Sequence, residues 1–237
     1  MTDRIKAFKN KERYNVSDIA ELVDILRSDE GCAWDREQTH KSVRNGIIEE
    51  TYEFIEGLDR NDISLMKEEL GDVMFQVFFH SGIAKENGTF SIDDVSDGIC
   101  KKMVLRHPHV FGDVTVKDSK EVLSNWDKIK KSEKSRNTLG KELESVAVSL
   151  PSLIRAQKLL SRYKKEGGFV EKDSSKLMLD IKDYVNKLDE NQKPSSEDIG
   201  ELLFKIVNLA YANDCNCEQA LYEKNESFIK EKAKEKV

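Results

Sequence analysis

Residues 65–80 read LMKEELGDVMFQVFFH. The run predicts a helix, and apolar side chains cover almost its whole circumference, so we expect this helix to be buried. Three acidic residues nevertheless stand near its start, namely Glu68, Glu69 and Asp72. Because a buried carboxylate is unfavourable unless a cation or a hydrogen-bond donor meets it, the stretch predicts a binding partner for these acids.

The composition of the 237-residue chain favours an all-α fold. Charged residues make up 35% of the chain, proline occurs only three times, and the helix formers Glu, Lys and Leu are abundant. The net charge is −6, and no long basic block is present. Duplex nucleic acid is therefore disfavoured as a partner, and so is a polybasic membrane anchor.

The cysteines and the apolar segments indicate in which cellular compartment the protein is expected. No two of the four cysteines have C-x-x-C spacing, which disfavours both a zinc knuckle and a disulfide framework. The start of the chain, MTDRIKAFKNKERYN, lacks the apolar core of a signal peptide, and nowhere is an apolar run long enough to span a membrane. We therefore expect a soluble cytoplasmic protein.

Capping residues and stop signals predict the helices of the first half. Ser17 is expected to cap a short helix, and GCAWDREQTH at 31–40 is expected to form a loop. The other predicted helices run from about Thr39 to Leu58, from Asp62 to Asn87, from Ser91 to a point before Pro108, and from about Lys120 to Glu133.

A polar run divides the chain. Residues 128–142, KIKKSEKSRNTLGKE, contain few large apolar side chains, which is typical of a solvated connection. The predicted division is an N-terminal domain at 1–134, a linker at 135–147 and a C-terminal domain at 148–237. The second half echoes the first, since EELGDVMFQV at 68–77 aligns with EDIGELLFKI at 197–206. This match favours a tandem duplication over a chance likeness of two amphipathic helices.

Acidic side chains recur at helical spacing on two neighbouring predicted helices. Glu49, Glu50 and Glu53 project from one side of the first helix, and Glu69 and Asp72 lie one turn apart on the second. Each set alone has an ordinary explanation: a solvated acidic face for the first, and contact with the positive end of the helix dipole for the second.

The apolar surroundings of the second helix favour convergence of the acids between two antiparallel helices. The expected metal ligands are Glu50, Glu53, Glu69 and Asp72. Four carboxylates so close together repel one another unless cations are present. Hard oxygen ligands suit Mg²⁺, with Mn²⁺ as a possible substitute.

A carboxylate-bridged di-iron site is the main competitor in a helical bundle. Such a site normally uses Glu-x-x-His pairs, which neither acidic helix carries. His80 stands two turns beyond Asp72 and is expected at the surface or behind the ligands. The predicted metal is therefore redox-inert. The chain also lacks a P-loop and a G-x-S-x-G motif, which disfavours P-loop kinases and serine hydrolases.

Cationic and aromatic side chains follow further along the chain. Lys102 and Arg106 share one face of the third long helix, and Trp126 and Lys130 share one face of the next. Each pair alone has an ordinary explanation, a solvated basic face for the first and a core position for the tryptophan. Together with the acids they predict a nucleotide pocket, in which the cations hold phosphate oxygens and Trp126 stacks on a base.

Five segments, in this order, closely resemble the MazG nucleoside triphosphate pyrophosphohydrolases of the all-α NTP pyrophosphatase superfamily. They are GCAWDREQTH at 31–40, EETYE at 49–53, EELGD at 68–72, KKMVLRHPHVFGD at 101–113 and NWDKIKKSEK at 125–134. The acidic segments are common to the superfamily, whereas RHPHVF and NWxxIKxxEK are specific to MazG. The resemblance is strong over about 15–134 and weaker beyond.

The resemblance implies a tandem-domain helical protein whose bundle core is completed in a homodimer. It also implies Mg²⁺-dependent hydrolysis of a nucleoside triphosphate to the monophosphate and pyrophosphate. By position, the metal ligands are Glu50, Glu53, Glu69 and Asp72, and the nucleotide contacts are Lys102, Arg106, Trp126 and Lys130. The family usually has proline where Ala33 stands, and the adjacent Trp34 is expected to line the base pocket.

In the second half of the chain, the match to the family's acidic and basic motifs is weaker. LDIKD at 179–183 has Asp180 and Asp183 where EETYE has glutamates, and Ser227 stands where Lys102 would. The shorter side chains draw their oxygens back by about one methylene, which exceeds the ~0.2 Å tolerance of a metal site. We therefore predict that the second domain is weak or inert in catalysis and serves assembly or nucleotide sensing.

The predicted reaction is attack of water at the α-phosphorus. Glu49 is expected to orient or deprotonate that water, and Glu50 and Glu53 complete the catalytic set. The expected role is house-cleaning of the nucleotide pool. Three alternatives stay open: a narrower pyrimidine deoxynucleotide pyrophosphatase, a non-catalytic nucleotide-binding module in which Lys102 and Arg106 pair with the acids, and a structural scaffold.

Overall fold

The computed structural model describes residues 2–133, 138–188 and 193–233. Within these residues every regular element is a helix, thirteen in all, and no strand occurs, so the predicted all-α class is confirmed. The chain divides into two compact units, Met1–Ile129 and Lys130–Val237. Over the described ranges, no helix combines the length and apolar character that crossing a membrane requires.

Eight helices begin in the first unit, and the last of them crosses the division. They are α1 (Asp3–Lys9), α2 (Val16–Leu26), α3 (Ala33–Glu37), α4 (Gly46–Asp59), α5 (Ile63–Glu86), α6 (Ile92–Arg106), α7 (Pro108–Phe111) and α8 (Ser119–Glu133). The second unit continues with α9 (Leu139–Glu144), α10 (Ser152–Lys165), α11 (Ser174–Lys187), α12 (Ser196–Ala212) and α13 (Cys217–Lys232).

Side-chain caps set the starts of the long helices. The Asp62 carboxylate accepts hydrogen bonds from the first backbone N–H groups of α5, as predicted, and Ser91 caps α6. The predicted cap of α2 is wrong, because Asn15 caps this helix and Ser17 lies within its first turn. Asn15 accepts from the Ser17 backbone while Asp18 reaches back to the Asn15 N–H, which completes a capping box.

The segment before α4 also differs from its prediction. Residues 33–37 of the expected loop form the short helix α3, and the helix expected from Thr39 begins only at Gly46. Two hydrogen bonds between Thr39 and Ser42 favour a local turn over helix at this point. These local hydrogen bonds therefore favour a turn at the point where the helix was expected to begin.

The buried core of the first unit lies where α2 meets the second half of α5. Val23, Phe79 and Ile83 form its buried centre, with Phe75 and Phe78 packed against them. This explains why the run VMFQVFF is apolar on nearly all sides. The acidic first half of α5 lies outside this core and packs along α4 instead.

An apolar face of α4 remains exposed in the first unit. Ile48, Tyr52 and Ile55, which follow one another at one-turn spacing, are 41%, 47% and 37% exposed. The predicted completion of the bundle core by a second copy stays a prediction, and these residues are the ones that such a copy would cover.

The second unit has its own core, formed by α10, α12 and α13 around Leu160, Val170 and Val207. Its helix α11 packs against α12, so this unit also contains a pair of neighbouring acid-bearing helices. Of the predicted linker, residues 135–137 lie outside the described residues, while α9 falls within it. Glu142 of α9 is buried and forms an ion pair with Arg162.

Candidate metal centre and nucleotide site

Two close contacts fix how α4 lies along α5. A Cβ built on Gly46 would stand 2.7 Å from the amide nitrogen of Gln76, and one on Gly57 would stand 3.0 Å from the backbone nitrogen of Met66. The start of α4 therefore meets the middle of α5, and its end meets the start of α5. The helices run antiparallel, as expected for helices joined by a three-residue turn.

Three carboxylates converge between these two helices. One oxygen from each of Glu50, Glu69 and Asp72 lies within 4.8 Å of the others. Their exposure is graded, since Glu69 is buried, Glu50 is partly buried and Asp72 is exposed. The three acids thus form a site that is closed at Glu69 and open to solvent at Asp72.

Glu69 is the deepest of the three. The residue is only 5% exposed, and its Oε2 atom is buried without a hydrogen-bond partner within the described residues. Desolvation raises the pKa of this carboxyl above its ordinary range, and the neighbouring carboxylates, Glu53 first among them, raise the pKa further. An unpartnered buried oxygen of this kind is unfavourable by itself, and a cation would supply the missing partner.

Glu50 faces a similar environment from the other helix. Desolvation raises its pKa, followed by the charges of Asp72 and Glu53, while a side-chain hydrogen bond from Gln76 works in the opposite direction. Glu53 is exposed and lies outside the 4.8 Å group, although its charge acts on both Glu50 and Glu69. Glu49 is exposed and also acts on Glu50.

The residues present fit a divalent cation. Each of three carboxylates brings one hard oxygen within 4.8 Å of the others. A buried oxygen of one of these carboxylates, Glu69 Oε2, has no hydrogen-bond donor within the described residues. Over the described part of the chain, no lysine or arginine forms an ion pair with Glu50, Glu53, Glu69 or Asp72. The chain therefore leaves the negative charge of this cluster uncompensated, and Mg²⁺ or Mn²⁺ has the ligand preference that would compensate it.

The predicted nucleotide contacts occupy different environments. Arg106 is buried at 6% exposure, and its guanidinium lies 5.0 Å from the centre of the half-buried Trp126 ring. Lys102 is exposed, and in the described ranges it forms no ion pair. Trp34 is 64% exposed, and Lys130 is partly buried on α8. The structure thus brings Arg106 and Trp126 together and leaves Lys102 and Trp34 on the surface.

Arg27 is a positioning residue that the sequence did not reveal. Its buried guanidinium forms two hydrogen bonds with the Glu86 carboxylate, at 2.7 and 2.6 Å, and donates to the carbonyl oxygens of Asp35 and Gln38. It thereby ties the segment that carries Trp34 to the end of α5. No local sequence pattern predicts this positioning role of Arg27, because two of its partners are backbone carbonyls and Glu86 lies 59 residues away.

His80 lies on α5 one turn beyond Gln76. Its ring stacks on that of His40, and the two Nδ1 atoms are 2.9 Å apart, so one imidazole donates and the other accepts. Burial, followed by the charge of His40, lowers the pKa of His80. The pair links α5 to the segment before α4, and the place of His80 at the surface or behind the ligands stays a prediction.

Comparisons with known proteins identify the domain that contains the two acidic helices. Residues 38–111, which contain α4, α5 and α6, match the model of the MazG nucleotide pyrophosphohydrolase domain. The class that the helical fold and the paired acids define is therefore that of an all-α nucleotide pyrophosphohydrolase.

The similarity extends well beyond that domain. The chain is 38% identical over 216 residues to the nucleoside triphosphate pyrophosphohydrolase/pyrophosphatase MazG of Thermotoga maritima, covering 90% of this chain and 82% of that protein. It is 36% identical over 218 residues to the nucleoside triphosphate pyrophosphohydrolase of Escherichia coli, covering 87% and 81%. It is also 39% identical to the protein YabN of Bacillus subtilis, over 94% of this chain and 47% of that protein. The chain belongs to the MazG family.

Proposed function

We propose that the protein hydrolyses nucleoside triphosphates to nucleoside monophosphates and pyrophosphate with the help of Mg²⁺. The observation that carries the proposal is the cluster of Glu50, Glu69 and Asp72, three carboxylates within 4.8 Å that no side-chain cation neutralises in the described residues. The names of the relatives in Thermotoga maritima and Escherichia coli support the same reaction.

The proposed ion ligands are Glu50, Glu53, Glu69 and Asp72. Mg²⁺, or Mn²⁺ in its place, supplies positive charge to the triphosphate and Lewis acidity when bound. Glu53 joins the set from the rim, where its charge already acts on Glu50 and Glu69. Desolvation, followed by the charges of neighbouring carboxylates, raises the pKa of both Glu50 and Glu69, and a bound ion would offset these effects.

The chain's own residues carry the other parts of the reaction. Glu49 is exposed beside the cluster and is proposed to orient or deprotonate the water that attacks the α-phosphorus. Lys102, Arg106 and Lys130 are proposed to neutralise the triphosphate and the charge that develops on the leaving pyrophosphate. Trp34, which is exposed, and Trp126 are proposed to contact the base.

The proposed contact between Trp126 and the base is limited to one face of the indole ring. The ring of Trp126 already meets the guanidinium of Arg106 on one face, so a base would stack on the other face. Arg106 would then support the platform as well as contributing charge. The exposed Trp34 is free to approach the base from the segment that Arg27 holds in place.

We further propose that the active form is a homodimer. The strip of Ile48, Tyr52 and Ile55 on α4 supports this, since it leaves three large apolar side chains at one-turn spacing in contact with water. A house-cleaning role in the cytoplasmic nucleotide pool is proposed with it, and the four unpaired cysteines are compatible with a reducing compartment. Light scattering on the purified chain tests the dimer directly.

The function is tested by a screen for pyrophosphate release across NTPs and dNTPs in Mg²⁺. We expect release with the wild-type chain, together with the monophosphate, and at least a hundredfold less release with Glu69→Gln. That substitution keeps the shape of the side chain and removes its charge. Release of orthophosphate instead of pyrophosphate, or undiminished release by Glu69→Gln, would contradict the proposal.

A further inference from the structure

The helix pair α11 and α12 of the second unit repeats the acidic pair of the first, with one change of charge. The alignment of 68–77 with 197–206 puts Glu201 at the place of Asp72 and Lys205 at the place of Gln76. Likewise, aligning LDIKD with EETYE puts Asp180 at the place of Glu50. A neutral amide in one unit therefore corresponds to a cation in the other.

Lys205 reaches two acids of its unit, one on each helix of the pair. Its Nζ lies 2.7 Å from Asp180 Oδ2 on α11 and 3.3 Å from Glu201 Oε1 one turn back on α12. The lysine side chain is only 19% exposed, and its Nζ lies 5.3 Å from the centre of the Tyr184 ring. In the first unit, the amide of Gln76 approaches Glu50 in the corresponding way but carries no charge.

We propose that the ammonium group of Lys205 takes the place of a divalent ion in the second unit and keeps that unit closed to metal. This inference rests on the proposed metal centre of the first unit. The ammonium group bridges two carboxylates on neighbouring helices, as a metal ion would, so it offsets part of their negative charge without an ion from solution. A dication entering there would have to displace a cation that is tethered to α12.

A third acid of the second unit, Asp198, is engaged in hydrogen bonds. Asp198, which aligns with Glu69, lies in the first turn of α12, where both of its oxygens are used. Its Oδ2 accepts from the backbone and the hydroxyl of Ser195, at 2.8 and 2.7 Å, and its Oδ1 accepts from Tyr184. Glu69 by contrast stands two turns inside α5 with an unpartnered oxygen.

The pKa directions in the two units agree with this difference. Hydrogen bonds from Ser195 lower the pKa of Asp198, whereas desolvation raises the pKa of Glu69. The side-chain hydrogen bond with Asp180 raises the pKa of Lys205, so the ammonium form is favoured. The shortened aspartates are thus only part of the reason for the predicted inertness of this domain, because its acids already have partners.

The test counts Mn²⁺ ions by electron paramagnetic resonance in a chain whose first site is disabled by Glu69→Gln and Asp72→Asn. In that parent chain we expect no bound Mn²⁺ in the second unit, because Lys205 is intact. Adding Lys205→Gln should create a Mn²⁺ site in the second unit, since a competing positive charge is gone. Lys176→Gln is the matched control, because it removes an exposed lysine from the same unit.

Two results would overturn the inference: Mn²⁺ bound by the second unit of the parent chain, or no gain with Lys205→Gln over Lys176→Gln. If Lys205→Gln does not fold, Gln76→Lys in the wild-type chain carries the test, and Mn²⁺ binding in the first unit that survives it overturns the inference. Ion counts do not depend on turnover. A chain that releases no pyrophosphate yet shows the expected counts refutes the proposed function and leaves this inference standing.

Discussion

Replacing Gln76 by lysine would give the first unit the charge arrangement of the second. Gln76 lies one turn beyond Asp72 on α5, and its amide approaches Glu50. In the second unit, a lysine at the matching position reaches the two corresponding carboxylates at 2.7 and 3.3 Å. An ammonium group at position 76 would therefore lie between Glu50 and Asp72, where the proposed ion binds.

The size of the effect follows from Coulomb's law. Two unit charges about 4 Å apart interact by ~1 kcal/mol in bulk water, so a dication and an ammonium group repel by ~2 kcal/mol even with full solvent screening. This corresponds to a loss of about 30-fold in metal affinity. Because Glu69 is buried, the screening is weaker than in water, and 30-fold is the lower bound.

The assay is a titration of pyrophosphate release with Mg²⁺ at saturating substrate. Gln76→Met is the matched control, because it removes the same amide without adding charge. We expect the Mg²⁺ concentration for half-maximal release to rise at least 30-fold in Gln76→Lys relative to Gln76→Met. The melting temperature of the metal-free Gln76→Lys chain should also rise, because the ammonium group relieves the repulsion between the carboxylates. Equal Mg²⁺ requirements in the two variants would show that a positive charge at position 76 does not compete with the ion.

Three further predictions concern the same unit. Glu49→Gln should lower turnover while the Mg²⁺ concentration for half-maximal release stays unchanged, since Glu49 is assigned to the water; a shifted Mg²⁺ requirement in that titration would make it a ligand instead. Thermal melts of the metal-free chain should show stability falling as pH rises from 4.5 through the raised pKa values of Glu50 and Glu69, because the folded chain holds those protons more tightly than the unfolded chain. Glu69→Gln should make stability depend less steeply on pH. Arg27→Ala should reduce the free energy of unfolding, measured in urea, by about 1–3 kcal/mol, and it should raise the KM for nucleotide, because the segment that carries Trp34 loses a hydrogen-bond donor. An unchanged KM would contradict a role of that segment in binding nucleotide.

The meeting of the acids could be predicted because it depends on local geometry. Helical spacing puts Glu69 and Asp72 one turn apart, and the short turn before α5 forces the two acidic helices to run antiparallel. Helical spacing could not predict how deeply each carboxylate is buried. Glu69 is buried while Glu53 is exposed, and this difference depends on the packing of both helices.

The structural details that the sequence left open involve partners distant along the chain. Arg27 meets backbone carbonyls and a glutamate far away in sequence, so neither its type nor its neighbours signalled a role. The pairing of Arg106 with Trp126 joins two helices, whereas helical spacing compares residues within one helix. The cap at Asn15 was within reach, because Asn-x-x-Asp is a capping-box pattern and Asp18 completes it.

The role of Lys205 also depends on packing that the sequence does not show. Aligning the two halves reveals a lysine opposite Gln76, yet a lysine there could equally extend into water. Only the packing of α11 against α12, with Asp180 within 2.7 Å of the ammonium group, shows what the charge does.

Acids from two helices are proposed to hold one ion in common, and the sharpest test is Mn²⁺ binding by the wild-type chain, Glu50→Gln and Asp72→Asn. Glu50 lies on α4 and Asp72 on α5, so each variant removes a ligand from one helix only. We expect either substitution alone to weaken Mn²⁺ binding at the same site by about tenfold or more. Wild-type affinity in either variant, with the fold intact, would contradict it.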